Sequence, residues 1–243
     1  MGVLDKLGKY QRGGKEVLMM AEKTLEIGGL IIQWLGHTSI GIYGEKVIYI
    51  DPFSEVLTGT ERKADLIIST HGHRDHFDVH AINTLSKEMT HVVVKSGCEK
   101  ENLLSKSIKE LDINETCTVD GTDIRAVHAY NIKRFRSPGV PFHPQGFGMG
   151  VLLKVGATKL YYAGDTDFIS PMKGLKDEKL DVAFLPIGGT YTMDVEEATE
   201  AALAIEPRMV VPVHFNHVKG TEADPTAFKR RTEQRTKVQV IIL

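Results

Sequence analysis

The chain of 243 residues carries 30 Lys and Arg against 32 Asp and Glu, a formal net charge of −2, with 42% hydrophobic and 26% charged residues. That balance belongs to a folded globular protein and excludes disordered, collagen-like and low-complexity classes. The near-neutral charge argues against broad electrostatic binding of nucleic acid or anionic membrane, and no segment approaches the ~20 apolar residues of a membrane helix.

Residues 1–28 read as a polar lead-in with some helix around Lys15–Lys23, and residues 29–243 as one domain. Val17–Ala21 is the only apolar run of the lead-in, too short for a signal-peptide core. Leu30–Trp34, Ser39–Tyr43 and Lys46–Ile50 are short β-rich runs, the last two joined by a Gly44-Glu45 turn. Leu66–Ser69 is continuously apolar, the pattern of a strand buried on both faces. Val79–Met89 reads as helix, His91–Val94 as a buried strand, and Cys98–Leu111 as mainly helical. Cys98 and Cys117 cannot make a disulfide framework and suit a reduced, cytoplasmic setting.

Further on, Glu115–Val119 and Thr122–Val127 flank Asp120-Gly121, a strong hairpin signal. Gly148–Val155 and Lys159–Tyr162 form a second hairpin through Gly156-Ala157-Thr158. Val182–Leu185 and Met209–Val213 read as strands, separated by a helix over Asp194–Ile205 that Asp194 caps and Pro207 ends. A helix at Pro225–Gln234 and a strand at Lys237–Ile242 close the chain. Hairpins interleaved with helices predict an α/β fold of two packed sheets with helices outside, four layers in one domain.

The chemistry concentrates in Ser69-Thr70-His71-Gly72-His73-Arg74-Asp75-His76, in a chain with ten histidines. Four metal-capable side chains within six residues, directly after a buried strand, point to a divalent-metal site, because imidazole with carboxylate is a zinc-type donor set. One loop cannot fill two metal shells, so partners must come from other strand ends. Asp165, behind Gly164 at the end of Tyr161–Ala163, can bridge two ions or cap the following turn. His214, after Val210–Val213, is a ligand in this context, although a lone histidine there would more often be structural.

These segments, with Trp34-Leu35-Gly36-His37-Thr38-Ser39, Ile50-Asp51-Pro52, Tyr162–Asp167, Leu185–Met193 and Pro212-Val213-His214, resemble the metallo-β-lactamase superfamily, and most of all its general metal-dependent hydrolases. The resemblance runs from about Leu30 to the C-terminus and implies an αββα sandwich with a two-metal site at one edge of the paired sheets. It implies that His71 and His73 bind the first metal, that Asp75, His76 and His214 bind the second, and that Asp165 bridges. Asp51 resembles the family's buried aspartate that props the metal loop through hydrogen bonds. Two divalent ions, Zn2+ first with Mn2+, Ni2+ or Fe2+ as alternatives, would lower the pKa of a shared water, and Asp75 would orient it and accept its proton.

The third histidine departs from the family pattern. Where relatives carry Pro-Ala-x-His, this chain has Val127-His128-Ala129-Tyr130-Asn131, with Asn131 at the apparent ligand position. His143, in Phe142-His143-Pro144-Gln145-Gly146, is preferred to His128 as the ligand that completes the first shell, and it can also touch substrate. His37 can bind substrate or steer protons, with a structural role equally open. Tyr191 and His217 are expected to line the pocket, His217 with a surface loop as the better alternative. His80 and His91 read as ordinary helix and strand-edge residues. Lys133, Arg134 and Arg136 read as a solvated basic loop, with recognition of substrate phosphate or carboxylate as the alternative.

The expected activity is hydrolysis of an ester, lactone or phosphodiester bond in an intracellular small molecule. A small-molecule substrate is the expected partner, with neither membrane nor nucleic acid, and self-association is left open. A di-iron redox protein and an RNA-processing nuclease on the same scaffold are the competing readings. Against the first stands His73, where redox relatives carry Glu; against the second stands the absence of basic arms.

Overall fold

The computed structural model describes residues 24–243, so the helix expected around Lys15–Lys23 lies outside the described residues. The first sheet takes seven strands in chain order: β1 (Thr24–Ile27), β2 (Leu30–Gly36), β3 (Ser39–Tyr43), β4 (Val47–Ile50), β5 (Leu66–Ser69), β6 (His91–Lys95) and β7 (Ser107–Leu111). Its first four strands pair antiparallel and β4 through β7 pair parallel. The short helix α1 (Val79–Leu85) lies between β5 and β6, capped by the Asp78 carboxylate on the Ala81 N–H.

The second half of the chain builds β8 (Thr116–Val119), β9 (Thr122–Ala129), the small hairpin β10 (Phe135–Ser137) and β11 (Val140–Pro141), β12 (Gly148–Val155), β13 (Thr158–Tyr162) and β14 (Val182–Pro186). Helix α2 (Val195–Ile205), β15 (Met209–Val213), helix α3 (Pro225–Glu233) and β16 (Gln239–Val240) follow. The second sheet has the order β16-β15-β14-β13-β12-β9-β8, parallel from β13 to β16 and antiparallel on the other side.

Strand alternation explains the layering. Ile48, Ile50, Leu66, Ile68 and Val93 point inward to the core shared with the second sheet. Their neighbours Val47, Tyr49, Ile67, Val92 and Val94 point outward, where Ile82 and Leu85 of α1 cover them. On the far side, Ala198, Ala201, Ala202 and Ile205 of α2, Phe228 of α3 and Met172 of a 3-10 segment (Ser170–Glu178) pack against the second sheet. The result is the four-layer αββα sandwich. The parallel strands of both sheets end at one edge, where the loops after β4, β5, β13, β14 and β15 gather.

Four expectations change. Cys98–Leu111 is not a helix: Ser107–Leu111 is the edge strand β7, preceded by turns. It buries only Leu111 fully, so its outward polar face imitates an amphipathic helix in the sequence. Thr24–Ile27, read as lead-in, pairs with β2 and extends the sheet. The first helix stops at Leu85, where Ser86 closes it, and the last strand shortens to two residues.

Candidate metal centre

The site is assembled from strand ends, starting with Asp51 behind β4. Asp51 is fully buried and left-handed (φ 46°). Its carboxylate accepts the Thr70 N–H (2.8 Å) and the Thr70 hydroxyl (2.7 Å), and pairs with His76 Nδ1 (2.6 Å). These contacts fix both the loop after β5 and two tautomers. His76 spends Nδ1 on Asp51, so Nε2 is the nitrogen it turns to the site. The Thr70 hydroxyl has given its proton to Asp51, so its oxygen accepts from His71 Nδ1 at 3.1 Å and leaves His71 Nε2 free.

The opposite sheet contributes Asp165 after β13 and His214 after β15. Gly164 before Asp165 has φ +65°, and a Cβ there would lie 2.7 Å from the Met149 carbonyl oxygen, so only glycine fits. His214 is left-handed (φ 54°), and its N–H bonds to the carbonyl of His37, itself left-handed (φ 48°), at 2.9 Å. The indole of Trp34 donates to the same carbonyl (3.0 Å) and stacks on Phe215. Non-glycine residues concentrated in this sparse region mark a site whose surroundings over-determine the backbone.

The loop between β9 and β12 supplies His143. Asn131 Oδ1 accepts both the His143 backbone N–H (2.9 Å) and Nδ1–H (2.8 Å), and Asn131 Nδ2 donates to Asp167 Oδ1 (3.1 Å) and the Tyr191 carbonyl (3.0 Å). The backbone donor fixes which end of the amide is oxygen, so His143 presents Nε2 to the site.

Among the described residues the donors converge in three neighbouring groups: His71 with His73 and His143, His71 with His76 and Asp165, and His37 with Asp75 and His214. His73 Nδ1 is 3.0 Å from His71 Nε2 and 3.2 Å from His143 Nε2. Asp165 Oδ2 is 3.2 Å from both His143 Nε2 and His214 Nε2, and its Oδ1 is 3.2 Å from His76 Nε2. Asp75 Oδ2 lies 3.5 Å from His76 Nε2 and 2.9 Å from His37 Nε2. Three imidazole nitrogens this close hold at least two lone pairs facing each other, because one proton on His73 Nδ1 fully serves one partner. That donor set fits a divalent cation, and the Asp165 carboxylate beside the other histidines fits a second. A recess of about 270 Å3 opens above them, lined by His73, Asp75, Phe142, His143, Asp165, Tyr191, His214 and Val218.

The electrostatics agree with this arrangement. Burial, reinforced by His76, holds His71 well below the ordinary imidazole range, and burial with His143 lowers His73, so both offer neutral nitrogens. Burial alone would lower His214 and His76, but Asp165 outweighs it for His214, and Asp165, Asp75 and Asp51 outweigh it for His76, so both are raised. Burial would raise Asp165 and Asp75; instead the surrounding histidines keep both carboxylates well below their usual range. Burial also lowers His37, against the opposing hydrogen bond to Asp75.

The structure therefore brings His71, His73, Asp75, His76, His143, Asp165 and His214 together, with His37 touching Asp75 from behind. His128 sits on β9 opposite Met149 and joins none of the donor groups among the described residues. Tyr191 lines the recess. His217 does not: it stacks on His37 (5.0 Å between ring centroids) at the exposed rim. His80 is an exposed helix residue, and His91 pairs with Ser107 at a strand edge.

Of the basic loop residues Lys133 and Arg136 are exposed as expected, but Arg134 is not. Its side chain is 11% exposed and is held by Asp167 (3.1 Å), Asp194 (3.2 Å), Glu197 and the Gly189 carbonyl (2.9 Å). Asp167 also accepts the Ile132 and Lys133 N–H groups, each at 2.6 Å, so these charges clamp the loop that carries His143. The sequence reading missed the anchoring roles of Asn131 and Asp167 and the lining residues Phe142 and Val218. The only local signals were Asn131 at the ligand position and Asp167 inside the Gly-Asp-Thr-Asp motif.

Comparison with known proteins agrees with the fold. The profile of the beta-lactamase superfamily domain matches residues 31–214. A UPF0173 metal-dependent hydrolase of Methanosphaerula palustris is 33% identical over 87% of this chain and 95% of its own length. Another, of Thermoplasma acidophilum, is 36% identical over 82% and 89% respectively. A solved protein of Parabacteroides distasonis, provisionally named a metal-dependent hydrolase, superposes with a TM-score of 0.78 at 31% identity, covering 91% of this chain and 97% of that one. The chain belongs to the metallo-β-lactamase superfamily, among its UPF0173 metal-dependent hydrolases.

Proposed function

We propose that this hydrolase is dinuclear and that it cleaves an ester, lactone or phosphodiester bond in a small molecule. His71, His73 and His143 would hold one cation, Asp75, His76 and His214 the other, and Asp165 would join both. The observation that carries the reading is the Asp165 carboxylate, 3.2 Å from histidines of each set. Two divalent cations, zinc foremost, would supply Lewis acidity and bring the pKa of a bound water near neutrality.

The chain's own groups do the rest. Asp75 reaches the recess with its carboxylate ionised, placed to orient the attacking water and take its proton. His37, kept neutral by burial, holds Asp75 Oδ2 at 2.9 Å and thereby sets the direction of the carboxylate. Thr70, Asp51 and Asn131 hold the imidazoles in the tautomers that the site uses.

The test is hydrolysis of p-nitrophenyl esters and bis-p-nitrophenyl phosphate by zinc-loaded protein, with and without a chelator. Turnover that the chelator abolishes and added zinc restores is expected. Turnover indifferent to chelator, or lost with neither Asp75→Asn nor Asp165→Asn, would refute the reading.

A further inference from the structure

The walls of the recess carry information about what enters it. Beyond the histidines and aspartates, its lining consists of Phe142, Tyr191 and Val218. Phe142 and Tyr191 meet edge to face at 4.9 Å between centroids, and both are pinned: the Phe142 N–H bonds to the Arg134 carbonyl and the Tyr191 carbonyl to Asn131. Val218 also lines the recess and is 36% exposed. Phe147, 38% exposed, packs on His73 and His71 with centroids 4.9 and 5.5 Å away. Apolar side chains left partly in water around a polar centre cost stability that the fold does not need, and they mark a surface kept for a ligand.

No lysine or arginine is among the described residues lining the recess. The basic residues of the adjoining loop are committed elsewhere. Arg134 is enclosed by three carboxylates, Lys133 pairs with Glu197 at 2.6 Å, and Arg136 lies on the Phe142 ring and donates to the Phe142 carbonyl (3.3 Å). A substrate with charged groups beyond the scissile bond would meet rings and a valine instead of bidentate donors. The volume, about 270 Å3, falls just under the roughly 300–1,000 Å3 of ordinary ligand pockets and limits what is enclosed to a small group.

We propose that the substrate is an uncharged carboxylic ester or lactone whose short apolar group lies against Phe142, Tyr191 and Val218; the inference rests on the hydrolase reading above. Water adds across the acyl carbon–oxygen bond. Its oxygen ends on the acid, one proton goes to the departing alcohol oxygen, and the other is released as the acid ionises.

The test uses zinc-loaded full-length protein with p-nitrophenyl acetate, butyrate and hexanoate, beside bis-p-nitrophenyl phosphate, and calorimetric binding of 1-hexanol as a readout separate from turnover. From acetate to hexanoate kcat/KM is expected to rise by up to about four-fold per methylene, carried by KM, as apolar surface leaves water. Val218→Ser, at an exposed position that does not threaten folding, and Phe142→Leu should each flatten the series and weaken 1-hexanol. Ester turnover independent of chain length, or efficient phosphodiester cleavage with no measurable 1-hexanol binding, overturns this inference and leaves the hydrolase standing. Absence of chelator-sensitive hydrolysis of every substrate overturns both.

Discussion

Replacing Asn131 by Ala tests how His143 is held in the proposed first metal shell. The carboxamide serves four partners: the His143 N–H, His143 Nδ1–H, the Tyr191 carbonyl and Asp167. Asp167 keeps Arg134 and two backbone donors, so two buried His143 donors and the half-buried Tyr191 carbonyl lose their partner. At about 1–3 kcal/mol for each unsatisfied group, partly relieved by water entering the space, the fold should lose about 2–4 kcal/mol. For a chain of this size that corresponds to a fall in Tm of roughly 4–16 °C. The freed imidazole can rotate and change tautomer, and loss of such an orienting partner typically costs about 10–100-fold in metal affinity.

The assay is competitive titration against a chromophoric chelator, together with thermal unfolding. One of two bound equivalents should weaken by that factor, because the second set does not contain His143. Asn131→Asp keeps an acceptor for both His143 donors but faces a carboxylate toward Asp167, so it should hold metal better than Asn131→Ala while remaining less stable than wild type. Wild-type affinity for both equivalents in Asn131→Ala, or an effect no larger than that of His128→Ala, would refute the reasoning.

Three further outcomes follow from the structure. In the metal-free protein His76 and His214 keep their protons above the ordinary imidazole pKa of 6.5, so metal must displace those protons. Zinc affinity should therefore rise as pH increases through and above 6.5, with calorimetric proton release that varies with buffer; pH-independent affinity would contradict this. Arg134→Met leaves the fully buried Asp167 beside Glu197 and Asp194 without the guanidinium, and urea unfolding should show a loss of about 3 kcal/mol, as for other broken buried pairs. Burial pushes the Cys98 thiol up to about 11, so a thiol reagent at pH 8 should label it only on unfolding; fast native labelling would contradict its burial.

The sequence was most legible where a signal is contiguous. The doubly apolar run Leu66–Ser69 and the His71–His76 cluster sit side by side, so the central strand and its metal loop are readable without a structure. The edge strand β7 was not, because it buries one residue and its partner β6 alone makes it a strand. Strand β1 is four residues long and is defined by pairing with β2 through the Gly28-Gly29 turn. Arg134 reads as a surface residue because its acidic partners lie 33 to 63 positions away and only the fold gathers them. The same holds for the apolar wall: Phe142, Tyr191 and Val218 share no motif and meet through three different loops.

The central claim is a two-cation site bridged by Asp165. Elemental analysis of zinc-reconstituted wild-type protein, beside Asp165→Ala and His143→Ala, tests it most directly. The account predicts about two equivalents of zinc in the wild type, a loss concentrated on one equivalent in His143→Ala, and loss of both in Asp165→Ala with the protein still folded by circular dichroism. Retention of no zinc by the wild type, or an unchanged stoichiometry in Asp165→Ala, would contradict it.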